Sequence, residues 1–164
     1  MPRLLLSTTN IVVACAAARA VAGFDTSNTT ATQANVSSFT CVTGFVMDRK
    51  CIDIGFLLDA PSFHTLKAPE EHTVHCLVDV PICINSGFEL LSLGKDPGSG
   101  EHKRVVRLDH PDGTRLVADF AKNGTVQKGL KVTIIGEVNH GASEASPPGM
   151  KVIQVLPSGS IDCE

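Results

Sequence analysis

The sequence contains no Trp and no Tyr, and its seven Phe are the only aromatic residues. It therefore lacks the flat side chains on which single-stranded nucleic acids and sugar rings usually stack. It is also short of positive charge: the formal net charge is −3, and no basic cluster exists beyond Lys103-Arg104-Val105-Val106-Arg107. Nucleic-acid binding needs a cationic footprint, and none is present. Long apolar runs are missing as well. The cleanest, Ile11–Ala18, is far shorter than the roughly 20 residues a membrane-spanning helix requires. Among reactive motifs there is no G-x-S-x-G, P-loop, H-E-x-x-H or G-x-G-x-x-G, and neither CxxC nor CxxCH occurs. Asp79, the Asp109-His110 pair, His64, His102 and His140 stand in no catalytic constellation, so the sequence favours a binding protein over an enzyme.

What is present begins with a leader. Residues 1–22 carry one early cation, Arg3, and no acid, and Ala20 and Ala22 form an A-x-A-like cleavage site before Gly23. This is the pattern of a secretory signal peptide. Within it, Val12-Val13-Ala14-Cys15 also matches a lipoprotein box that would make Cys15 a lipid anchor. Residues 23–40 are rich in Ser, Thr and Asn and show neither helical nor strand period, as in a disordered stalk. Three N-x-[ST] sequons, at Asn28, Asn35 and Asn123, mark candidate glycosylation sites and support a secreted, extracellular or secretory-lumen location. Removing Arg3 and Arg19 with the leader leaves 12 basic against 17 acidic residues, a mildly acidic mature chain. Its length suits one domain over residues 41–164.

The signals after Cys41 are mostly those of strands. Val42–Met47, Phe88–Leu93, Arg104–Leu108, Thr114–Ala121, Leu130–Val138 and Met150–Leu156 are short apolar or alternating runs. Asp109-His110-Pro111-Asp112-Gly113 is a turn sequence, predicting a hairpin between 104–108 and 114–121. Gly44 would suit a bend, and Gly136 falls where a coiled barrel strand needs a residue without a side chain. Ala68-Pro69-Glu70-Glu71 looks like a helix start, with Pro in the first turn beside acids that favour the positive end of the helix dipole. These features predict a mainly β fold: a small OB-like antiparallel β-barrel with an inserted helical segment at about 69–80, ended by Pro81.

That helix decides the chemistry of EEHTVHCLVDVPIC, residues 70–83. On a helix, His72 and Cys76 share one face with Cβ atoms about 5–6 Å apart, and His75 is close by. On a strand the same two positions are roughly 13 Å apart and could not hold one ion. Five cysteines outlive the leader: Cys41, Cys51, Cys76, Cys83 and Cys163. In an oxidising compartment small domains pair them. Cys41, before the first strand, and Cys163, after the last, are expected to be stapled together. Cys51, Cys76 and Cys83 then remain for three competing uses. They could form a structural disulfide with bystander histidines, or a thiol–disulfide redox pair. The third use is a ligand set (Cys51, His72, His75, Cys76, Cys83) for copper, zinc or haem. A further rival uses the barrel face with loops 94–103 and 139–149 to grip a glycan or partner protein.

The layout resembles a family of small periplasmic or secreted OB-like proteins of largely unassigned function. The resemblance rests on Gly44-Phe45-Val46-Met47-Asp48-Arg49-Lys50-Cys51 for a G-x-V-x-D-x-x-C opening, on His72, Cys76, Cys83 and Gly87, and on Gly129-Leu130-Lys131-Val132-Thr133-Ile134-Ile135-Gly136 for a G-x-x-V-x-V-x-G finish. It covers residues 42–156 and implies an OB-like barrel. The H-x₃-C-x₆-C spacing of this chain is wider than the family's H-x₂-C-x₃-C.

Overall fold

The alternation of apolar and polar residues after Leu130 forms a strand, β6 (Lys131–Asn139), in the computed structural model, which describes residues 39–139 and 146–163. Val132 and Ile134 are buried in the main core, while Lys131 is exposed. Four further long strands surround that core: β1 (Phe39–Asp48), β4 (Phe88–Lys95), β5 (His102–Leu108) and β7 (Gly149–Pro157). Each contains a run read as a strand from the sequence. They pair in the closed order β1-β4-β5-β7-β6, with β1 returning to β6. All pairings are antiparallel except β5 with β7, a parallel contact of only two residue pairs, Arg107 with Gly149 and Leu108 with Met150. The sheet is therefore mixed, where an antiparallel one was expected.

Two glycines let the strands approach. A Cβ at Gly44 would strike the carbonyl oxygen of Leu91 on β4, and one at Gly136 would strike that of Lys151 on β7. At Gly136 the β6–β7 register also shifts, the local irregularity expected where a barrel strand coils.

Residues 114–121 are not a strand. They lie in α4 (Asp112–Asn123), so no hairpin joins them to β5. The helix buries the adjacent Gly113 and Thr114 and then Val117 and Ala121, one turn apart each, and packs on β7 and on α2 (Val74–Val78). A strand placing Leu116 and Ala118 inward would have left Val117 in water. Helical spacing instead puts Val117 and Ala121 into the core and leaves Leu116 exposed. Asp112 in the first turn and Lys122 in the last suit the helix dipole.

The segment between β1 and β4 carries α1 (Arg49–Ile54), a small hairpin of β2 (Phe56–Leu57) and β3 (Ala60–His64), then α2 and α3 (Pro81–Ser86). The expected helix over 69–80 is broken. A 3-10 turn at Pro69–Glu71 is followed by extended residues at 72–73, and only then by α2. The break has a cause in backbone pairing. The Gly129 N–H donates to the His72 carbonyl at 2.8 Å and the Val74 N–H to the Gln127 carbonyl at 2.8 Å. This stretch is thereby laced to the approach of β6 in an extended form. Pro81 does not end a helix but opens α3, where its missing N–H costs nothing.

Cys41 and Cys163 form the expected disulfide, spanning 122 positions. Such a bond is compatible with an oxidising compartment. No described helix is long and apolar enough to cross a membrane. The leader, the candidate anchor Cys15, the stalk and the sequons at Asn28 and Asn35 lie outside the described residues, as does most of the loop at 139–149. Asn123 is exposed at the end of α4.

Candidate metal centre

The end of β1 sets the first two groups. Asp48 caps α1: its Oδ1 accepts the Cys51 N–H at 2.9 Å, fixing carboxylate and thiol on the same first turn. The Cys51 sulfur also accepts the Leu58 N–H at 3.4 Å. Cys76 comes from the middle of α2 and Cys83 from the first turn of α3, and α3 packs against both α1 and α2. Their sulfurs are 3.3 Å apart. One ligand atom from each of Asp48, Cys51, Cys76 and Cys83 lies within 4.8 Å of all the others. None of these three thiols is in a disulfide, and all are buried.

His72 joins the cluster from a direction other than the one expected. It precedes α2 rather than sharing a helical face with Cys76, and no more than 1% of its surface is exposed. Its Nε2 pairs with Asp48 Oδ2 at 2.9 Å. Its Nδ1 is buried with no hydrogen-bond partner. His75 is not part of the cluster. It is exposed and bonds Asp79 across one turn at 3.0 Å. Asp59 comes near His72 and Cys76, but it is exposed and accepts the Thr73 N–H at 3.0 Å.

The electrostatics follow from burial opposed by hydrogen bonds. Burial disfavours the His72 imidazolium most of all, yet its bonds to Asp48 and its contacts with Cys51 and Cys76 outweigh that and push the ring up to about 11. Burial likewise tends to raise Asp48, but His72 and the Cys51 N–H hold the carboxyl below its ordinary value. The Cys51 and Cys83 thiols are pushed up, chiefly by burial, and Cys83 also by its neighbour Cys76. In the absence of a cation, then, the pocket holds one buried ion pair, His72 with Asp48, and two thiols that resist ionisation.

Of the five ligands expected from the sequence, the structure gathers Cys51, Cys76, Cys83 and His72 and leaves out His75. Residue spacing alone does not point to Asp48, which the structure adds to the cluster. Its signal was there: an Asp three residues before Cys51, at the junction of an apolar run and a new turn, is an N-cap pattern. Elsewhere, buried Glu89 is held by Arg104 through two 2.7 Å hydrogen bonds, with Arg49 3.7 Å away. Comparison with known proteins found no matching family model, no matching curated protein and no matching solved structure.

Proposed function

We propose that this chain is a secreted binding module of OB-like form that holds a single zinc ion in a closed site built on Asp48, Cys51, Cys76 and Cys83. The observation that carries it is the convergence of four buried ligand atoms, all within 4.8 Å of one another, from the N-cap of α1 and from three separate short helices. A tetrahedral zinc with Zn–S bonds of about 2.3 Å spaces its sulfurs about 3.7 Å apart, and the pair measured at 3.3 Å needs little adjustment to meet it. Three sulfurs and one carboxylate oxygen favour zinc: thiolates attract soft and borderline ions, and the hard oxygen disfavours copper(I). Haem fits less well, because ligand atoms so close together leave no slot for a porphyrin. The absence of exposure is that of a structural metal site, which keeps no open position.

His72 has a clear place in this reading. Its Nε2–H orients Asp48 from behind, as hydrogen-bond partners of metal ligands commonly do. Its unpartnered Nδ1 is an orphan that thiolates formed on metal binding would satisfy. A disulfide oxidoreductase would need an accessible thiolate of lowered pKa, and the buried, raised thiols here count against that. The OB assignment is supported by the strand order. The four strands β6, β1, β4 and β5 lie side by side as a Greek key, with the fourth in sequence beside the first, and a fifth closes the barrel. Of the proposed ligands, Asp48 is the last residue of the first barrel strand, and Cys51, Cys76 and Cys83 sit in the insertion that follows it. The resemblance to small OB-like Cys/His proteins points the same way.

Metal analysis of protein purified under reducing conditions tests the proposal. One zinc per chain is expected. Cobalt substitution should give thiolate-to-cobalt charge-transfer absorption with the intense d–d bands of a tetrahedral site. Cys51→Ser should weaken both. Protein that is folded and fully reduced, yet takes up no zinc or cobalt, would overturn the reading and leave the cluster as buried thiols around an ion pair.

A further inference from the structure

We infer that this centre is a peroxide-sensitive zinc store, in which Cys76 and Cys83 exchange the metal for a disulfide with each other. The inference rests on the zinc reading above and adds what empties the site. The 3.3 Å between the two sulfurs lies between the two bonded states open to them. It is about 0.4 Å short of the spacing on tetrahedral zinc and about 1.2 Å longer than a disulfide bond. Either state is therefore reached by a small shift of α2 against α3. These two short helices join at Val80, and the pair closes a loop of only seven positions. Cys51 is placed differently. It is held by its own helix cap and by the Leu58 N–H, and the sulfurs of Cys76 and Cys83 are already in contact with each other.

The two states exclude one another. A disulfide withdraws two of the four ligands at once, and the remaining pair, Asp48 and Cys51, cannot retain zinc in competition with water. The chemistry balances with hydrogen peroxide as oxidant. One zinc-bound thiolate attacks a peroxide oxygen, forming a sulfenic acid and releasing hydroxide. The second thiolate attacks that sulfur, expelling a second hydroxide and forming the S–S bond. Two electrons pass from the two sulfurs to the O–O bond, and zinc leaves as the free dication. A compact oxidant suits the site, since both sulfurs are buried and a bulky disulfide reagent would have to open it first.

The test uses the full-length mature protein, reduced and zinc-loaded. Peroxide is added, zinc release is followed with a chromophoric chelator, and the products are mapped by mass spectrometry. Both cysteines lie on one tryptic peptide, 68–95, so oxidation lowers its mass by about 2 Da, and cleavage before Asp79 leaves the halves joined only if the disulfide is present. The expected result is one zinc released per Cys76–Cys83 bond formed, with re-uptake after phosphine reduction. Cys51→Ser, which keeps the pair, should still form the bond. Failure of the reduced chain to bind zinc overturns both readings. Zinc that stays bound after the disulfide forms, or that leaves without it, overturns the store alone.

Discussion

His72 carries more of the local energetics than its one side-chain hydrogen bond suggests. Among the described residues it is the only positive partner of a carboxylate that no solvent reaches. Replacing it with Leu would strand Asp48 in the interior, and breaking a buried pair from one side costs about 3–5 kcal/mol. Urea denaturation of metal-free, reduced protein should show a loss of that size, while His75→Ala, on the exposed side of α2, should leave the midpoint unchanged. The pair also fixes a pH profile. The ring is raised from an ordinary 6.5 to about 11, so its contribution is complete below about pH 6.5 and is lost progressively as pH climbs to about 11. Asp48 is lowered from 3.8, so its contribution is complete above that value and is lost as acid is added. Metal-free protein should thus be most stable between roughly pH 4 and 6.5. The raised Cys51 and Cys83 thiols add their own loss only above about pH 9. Below that pH the alkaline decline should be lost in His72→Leu, and an unchanged slope between about pH 6.5 and 9 in that variant would refute its assignment to His72.

At the scale of elements, the strands were legible and the helices were not, for reasons that can be located. β1, β4, β5, β6 and β7 announce themselves because one face of each meets the core while flanking Gly, Pro and Asn mark their ends. Residues 114–121 misled because TRLVADFA alternates as a strand would. Only the position of Val117 and Ala121 against β7 and α2 reveals the helical period, and that is a tertiary fact. Residues 69–80 misled in the opposite sense. Their local start signals are sound, but pairing with 127–129, remote in sequence, pulls 72–73 straight. His72 and Cys76 still meet, because Asp48 and α1 bring a third wall to the site that no short-range spacing encodes. Gly136 was legible, and its role can be measured. Valine there would drive a Cβ into the Lys151 carbonyl and within 2.8 Å of Met150 Cγ. Overpacking of this kind costs about 1–3 kcal/mol, whereas Gly94→Val, with open space around it, should cost much less. Equal losses at the two positions would mean that the close approach of β6 and β7 is not what selects glycine.

For the whole molecule, two staples act on different parts of the chain. The Cys41–Cys163 disulfide ties the start of β1 to the tail after β7 and closes a loop of 122 positions. The proposed zinc would tie together only residues between 48 and 83, from the last residue of β1 through the insertion that follows it. The weakest seam of the barrel is the two-residue parallel contact of β5 with β7, and β7 is also the strand that leads to Cys163. Without the disulfide, β7 keeps its long antiparallel ladder to β6, so the native fold should persist but the unfolded chain gains freedom. On the loop-closure account the double variant Cys41→Ser/Cys163→Ser loses about 4–5 kcal/mol. Because none of the four proposed ligands lies on β5, β6 or β7, it should still bind one zinc per chain, and zinc should raise the melting temperatures of the double variant and the parent alike. The two contributions should then add, as they do for sites without shared partners. Loss of zinc binding in a double variant that remains folded would show instead that barrel closure positions the metal ligands, and the insertion could no longer be treated as a self-contained site.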